Sequence, residues 1–378
     1  MRNLCGWTQF DVSSGELVKQ NEPDAGYYTI MKTKHVSLIK SAKQGGFSVG
    51  LLLCVALCLR AYGVTEEEVH KQFSVKPGGT IVVDVGVGGI TVDTNGTGQV
   101  VVDVKRKVGR RTKAEEQKYL TEYPVEITQD GDKVIVRCQK QKTHGSFTWK
   151  QVNEATYTIT VPAQFNAKLM TAGGPISVND LTGEVKADTS GGGLHFARIH
   201  GPLKGETSGG PIHVSDCEGE QKVSTSGGGI DVAGGGGSLS GSTSGGSVAV
   251  RNFHGPADVE TSGGGITLER VAGKINGDTS GGGINAVLVA PLPGPVKLST
   301  SGGGIKIKVP GDAAFDLDAE TSAGSVNSEL PVTVTGKLRR DHLRGPVNGG
   351  GKPVVLRTSA GSIHIIKSEA TLKAEAEK

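Results

Sequence analysis

From residue 171 onward, apolar and polar positions repeat in a fixed figure of 18 residues. A branched aliphatic residue opens each unit: Ile176, Leu194, Ile212, Ile230, Val248, Ile266, Ile284, Ile305 and Val326. Two residues on stand Val178, Phe196, Val214, Val232, Val250, Leu268, Ala286 and Ile307. Five on come Leu181, Ile199, Cys217, Gly235, Phe253, Val271 and Val289. Nine on are Val185, Leu203, Gln221, Leu239, Ala257 and Ile275, and eleven on Ala187, Gly205, Val223, Gly241, Val259 and Gly277. Offsets of two within a segment are strand alternation. Polar and glycine residues separate the segments, as turns require. Each unit therefore predicts two short strands and two corners.

The punctuation is Thr-Ser/Ala-Gly-Gly, with Thr171, Thr189, Thr207, Thr225, Thr243, Thr261, Thr279, Thr300, Thr321 and Thr358 at its head. The first seven threonines are 18 apart, and gaps of 21, 21 and 37 follow. The last gap leaves room for one degenerate turn around residues 337–351. A lone unit buries too few side chains to offset the entropy of ordering its backbone. Stacking resolves this, since each strand then pairs with its equivalent one coil on, about 4.8 Å away. The fold class is thus all-β: a single-chain parallel β-solenoid of 18-residue, two-strand coils, with right-handed winding expected from the crossover rule. Its structural corners are Gly191, Gly192, Gly209, Gly210, Gly227, Gly228, Gly263, Gly264, Gly281, Gly282, Gly302 and Gly303. Glycine suits them because it needs no Cβ clearance and accepts positive φ. The Thr-Ser ahead can bond the turn backbone.

This array is read as 167–367. Residues 64–166 differ and read as a first coil with an α+β cap or excursion. Ile81-Val82-Val83 and Ile90-Thr91-Val92 predict strands, Lys113–Glu122 a short helix, and 125–128, 133–137 and 156–161 further strands. Turns fall at Asp130-Gly131 and near Gly145. Such a cap would shield the exposed end of the stack. Residues 368–378 read as a polar tail.

Composition sharpens this picture. Glycine numbers 59 and proline only 15, with no G-X-Y period, which excludes collagen. Net charge is +3, giving no bulk electrostatic case for nucleic acid. Residues 1–63 read as a leader: Lys32, Lys34, Lys40 and Lys43 precede an apolar run at 47–59 and then Ala61-Tyr62-Gly63. That is the layout of a secretory signal peptide ending near Gly63, with Met31 as the expected true start. The run is shorter than the ~18–20 residues of a spanning helix, so no stable transmembrane span is expected once the leader is removed. A lipoprotein motif fails at Val55-Ala56-Leu57-Cys58, where a large residue precedes the cysteine. Cys138 and Cys217 remain beyond the leader, with no zinc spacing and pairing left open. Export to the periplasm, cell surface or medium is the expectation.

Chemistry has only the outward columns to use. The G-x-G patterns lack GK[ST] and recur in every coil, so they describe corners rather than a nucleotide loop. A calcium-binding G-G-x-G-x-D repeat is also not met, as Asp231 is alone in its column. His195, His213 and Asp231 occupy one column in consecutive coils and are the metal candidates; a solvated face is the plainer reading. Lys186, Lys204 and Lys222 form an outward ladder that could meet an anionic glycan, with Asp188 and Glu206 placed to neutralise it. Arg106, Lys107, Arg110, Arg111 and Lys113 form a basic run, read as a solvated loop. The insertions at 290–295 and 330–351 carry no paired carboxylates. No catalytic residue, cofactor-binding residue or cofactor is assigned.

The TSGGGI repeats, Pro77-Gly78-Gly79 through Gly88-Gly89-Ile90-Thr91-Val92, Thr160-Val161-Pro162 and the closing Gly345-Pro346-Val347-Asn348-Gly349-Gly350-Gly351 with Thr358-Ser359-Ala360-Gly361-Ser362-Ile363 resemble the DUF4097 family of β-strand repeat proteins. The resemblance spans most of 73–366 and implies an adhesin-like role without catalytic residues. The expectation is an exported, non-enzymatic scaffold whose partner is a surface protein or glycan. A glycan-binding or glycan-acting solenoid and an envelope-sensing partner protein are the alternatives.

Overall fold

The computed structural model describes residues 64–138, 152–334 and 339–368. Among them are 28 strands and one helix. The strands form two 14-stranded sheets, and each repeat coil gives one strand to each. Within the array the pairing is parallel and the register follows the repeat: Ile212 lies beside Ile230 and Thr207 beside Thr225. A third, thinner line of contact runs through isolated bridges Thr182–His200–Glu218 and Gly236–His254. The coil is therefore two strands plus a bridged corner.

Between the sheets the predicted columns form one continuous apolar core. Ile176, Val178, Leu181, Val185, Ile212 and Ile266 are fully buried. Val326, which opens the last unit, is only half-buried because its strand lies at the end of its sheet. Such a core grows with the stack, so each coil depends on its neighbours for burial.

The corners are held by a threonine ladder. Thr225 is buried; its hydroxyl accepts from the Gly228 N–H at 3.3 Å and donates to Gly210 O, one coil back, at 2.9 Å. Thr189, Thr207, Thr243, Thr261, Thr279, Thr300 and Thr358 repeat both bonds. The bond within the turn is the expected one. The bond to the neighbouring coil was not foreseen, and it makes each corner a rivet between coils.

Positive φ plays no part at these corners, contrary to expectation. The fourth residue of each tetrad must be glycine for a different reason: a Cβ on Gly192, Gly228 or Gly264 would meet the preceding coil's glycine carbonyl at 1.9–2.0 Å. Left-handed backbone falls at the opposite corner, at Asp180, Arg198, Asp216, Gly234, Asn252 and Arg270.

The stacking order departs from chain order at both ends. Coil Thr80–Val85/Gly89–Asn95 lies between coil Asn166–Thr171/Ile176–Asn179 and coil Lys133–Cys138/Val152–Pro162. Antiparallel strands Gln99–Gly109, Thr65–Ser74 and Val125–Asp130 then close that end. At the other end, coil Lys352–Thr358/Ile363–Ser368 inserts between coil Val296–Thr300/Ile305–Pro310 and coil Phe315–Thr321/Val326–Ser328. The threonine ladder follows the spatial order: Thr358 donates to Gly303 O, and Thr321 to Gly361 O. The degenerate turn expected near 337–351 is instead strand His342–Val347, antiparallel to Phe315–Thr321. Antiparallel strands cover both sheet edges at the first end and one of the two at the other, edges that parallel coils would leave open.

The helix Lys113–Glu122 forms where expected, with the Thr112 side chain accepting from the Glu115 N–H as its N-cap. Cys138 and Cys217 are free thiols, and burial pushes the Cys217 thiol up. The leader, Met31, the turn near Gly145 and the tail beyond Ser368 lie outside the described residues. Among the described residues no helix is long and apolar enough to cross a membrane.

Candidate functional site

Because strand side chains alternate, every coil presents residues to the outside at fixed columns, and parallel stacking turns columns into ladders. His195 pairs in register with His213, and His213 with Asp231. The imidazole rings stand 6.5 Å apart and tilted. Asp231 is held by Arg251 at 2.5 Å. No group of three or more metal-ligating side chains occurs among the described residues.

The lysine ladder is longer than the sequence reading recognised. Lys168, Lys186, Lys204 and Lys222 stand side by side on successive strands. Lys186 pairs with Glu184 at 2.6 Å rather than with Asp188, and Lys204 pairs with Glu206 at 3.0 Å. Lys168 sits 18 residues before Lys186, so the repeat itself carried the signal. The result is a zwitterionic stripe, with carboxylates interleaved among the amines.

Only part of the basic run is a solvated loop: Arg106 and Lys107 lie in the strand Gln99–Gly109, Arg110 and Arg111 in the link that follows, and Lys113 opens the helix. Arg106 is buried within Gln99–Gly109 and bonds Glu67 and the Tyr123 carbonyl. Lys105 and Lys107 meet Glu68 and Glu66, each at 3.4 Å. The acidic strand Thr65–Ser74 thus neutralises the basic one, a pairing visible only once their antiparallel register is known. Arg110 stacks 4.4 Å over the Tyr119 ring. Burial pushes the Glu116 carboxyl up, but the Thr65 hydroxyl, the Arg110 N–H and Lys113 outweigh it and hold it below the ordinary carboxylate range.

Among the described residues the open depressions include two of similar size. One, of about 510 Å³, lies at the stack's far end between Val326, Leu330, Val332, Leu343 and the arginines Arg339 and Arg340. The other, of about 520 Å³, lies mid-array on the bridged corner. Its floor is Ala233-Gly234-Gly235, and around it stand His200, Ser215, Asp216, Glu218, Asn252 and His254. Coils on either side carry side chains at both outward corner positions, Asp216 with Glu218 and Asn252 with His254. The coil between has Gly234 and Gly236 there, which opens a notch. The run Gly234–Gly237 was the legible signal for it.

A family profile described as Toastrack DUF4097 matches residues 81–366. Among solved structures, a candidate adhesin of Bacteroides fragilis is 14% identical, with 79% of this chain and 97% of that chain covered and a TM-score of 0.31. A candidate cell adhesion protein of Clostridium sporogenes is 12% identical, covering 80% and 100%, with a TM-score of 0.20. A candidate lipid-binding protein of Parabacteroides distasonis is 11% identical, covering 79% and 97%, with a TM-score of 0.23. Likeness at these scores carries no functional argument. No curated protein matches the chain.

Proposed function

This chain belongs to the Toastrack DUF4097 family, and we propose that it is an exported, non-enzymatic interaction scaffold, adhesin-like in acting at the cell surface or in the periplasm. The observation that carries the reading is the unbroken ladder of coils. Outward side chains recur every ~4.8 Å on flat faces, so a repetitive or extended ligand can be met many times in one register. Each contact can be weak, because multiplicity supplies the strength. The leader at 1–63 supports export.

A glycan is the second reading, and it rests on the polar lining of the mid-array notch together with the Lys168–Lys222 stripe. Beads coated with the full chain test the proposal on surfaces carrying envelope protein or polysaccharide. Retention above uncoated beads on at least one surface is expected. Equal retention on every surface contradicts it.

A further inference from the structure

The coil at 230–247 breaks rules that its neighbours keep. Gly234, Gly235 and Gly237 all take positive φ, at 72°, 76° and 103°, where the flanking coils use two such residues, Asp216 with Gly219 and Asn252 with Gly255. Gly235 stands in the core column filled elsewhere by Leu181, Ile199, Cys217, Phe253 and Val271, so this coil puts no side chain there. Gln221 stands in a column otherwise held by Val185, Leu203 and Leu239. Its amide N–H groups bond Cys217 O at 2.7 Å and Gly236 O at 3.1 Å. Gln221 is 1% exposed, and its Oε1 has no partner. Consecutive glycines and an orphaned buried acceptor both cost stability. Local rules broken without a packing gain point to function.

Above this floor the side chains are unspent. Asp216 Oδ1 lies where a Cβ on Gly234 would stand, and Glu218 Oε2 would be 3.2 Å from a Cβ on Gly236. Neither carboxylate has a hydrogen bond or ion pair among the described residues. Asn252 has its Oδ1 fixed by Arg270 at 2.5 Å, which leaves its NH₂ donors free. His200 and His254 can donate or accept. The slot between the flanking coils is two strand spacings, about 10 Å, across.

We infer that this notch is a subsite for one neutral sugar unit of a glycan, an inference that rests on the glycan reading above. Vicinal hydroxyls need acceptors and donors side by side. Asp216 and Glu218 supply acceptors, and Asn252 with the histidines supplies donors. The open, shallow shape suits a unit within a longer chain. A basic peptide fits less well, because the donors of Asn252, His200 and His254 share the lining with the two carboxylates.

The test is binding of the full chain to immobilised maltohexaose, cellohexaose, chitohexaose and mannan, with heparin and oligolysine as charged comparators. Asp216→Asn with Glu218→Gln keeps the shape of the notch, and asparagine tolerates the φ of 51° at position 216. Binding to a neutral glycan is expected, weakened about tenfold or more in this double variant and less in Lys186→Ala with Lys204→Ala. Unaltered thermal unfolding of the double variant shows that its fold survives. Loss in the lysine variant alone overturns the notch and leaves the glycan reading standing. Preference for oligolysine overturns the sugar assignment. Binding to no glycan overturns both.

Discussion

Gly228→Ala should damage the array while Gly227→Ala, one residue earlier, should not. A Cβ on Gly228 would lie 2.0 Å from Gly210 O, 2.4 Å from its carbonyl carbon and 2.6 Å from Pro211 N. All three are backbone atoms of the neighbouring coil, so no side chain can swing aside. Reaching even 3.0 Å needs a shift of about 1 Å, inside a sheet whose spacing is fixed by hydrogen bonds. Overpacking of this kind costs about 1–3 kcal/mol. The shift also strains two threonine bonds, Gly228 N–H to Thr225 and Thr243 to Gly228 O, each contributing about 1 kcal/mol. The sum is a loss of about 3–5 kcal/mol. At Gly227 the nearest atom to a built Cβ is Gly209 O at 3.4 Å, and φ is not left-handed. Alanine there removes unfolded-state freedom and should stabilise by about 0.4–1 kcal/mol. The repeat has already tried this exchange: Ala323 and Ala360 occupy the Gly227 column, whereas the Gly228 column holds only glycine. Denaturant midpoints of the two full-length variants decide it. Equal shifts of the same sign would refute the close-approach argument.

Thr225→Val keeps the shape of the corner but leaves Gly210 O and the Gly228 N–H without their hydroxyl; a loss of about 1–3 kcal/mol is expected, with Thr225→Ser near wild type. Asp318 joins three strands at the C-terminal end, to Arg357 at 2.8 Å and His342 at 3.2 Å. Burial pushes its carboxyl up, but these hydrogen bonds and the Arg357 charge hold it below the ordinary value. A depressed folded-state value means stability present above about pH 4 and lost as pH falls through that value. Asp318→Asn should therefore destabilise by about 1 kcal/mol at pH 7, with the difference from wild type shrinking below about pH 4 in a pH series of unfolding curves. The inserted coil is checked by crosslinking. Lys306→Cys with His364→Cys places thiols on paired positions and should form a disulfide, whereas Lys306→Cys with Asn327→Cys spans two strand spacings and should not. Stacking in chain order predicts the reverse.

Periodicity made most of this fold legible. The columns opened by Ile176 and Val185 fell inside, and the two strands per coil formed where the alternation placed them. Order at the ends was not legible, because Thr321 and Thr358 carry the same corner motif and either could follow Thr300. Local chemistry is degenerate there, and only the antiparallel strand His342–Val347 shows which coil ends the stack. Arg106 was misread for a related reason: its partner Glu67 lies 39 residues away in a strand with no repeat to flag it. The notch was half visible. The run Gly234–Gly237 lies in the sequence and could have flagged it, but Asp216, Glu218, Asn252 and His254 converge only through stacking at 18-residue steps. His195 and His213 show the converse, since register brought them together while Asp231 in the same column pairs with Arg251.

The central claim is that these faces work outside the cytoplasm. Fractionation of cells producing the full chain, with N-terminal sequencing of the product, tests it most directly. A mature N-terminus near Val64, in the periplasm, on the surface or in the medium, is the predicted result. A full-length product confined to the cytoplasm would contradict the account of export and, with it, the proposed role at the cell surface.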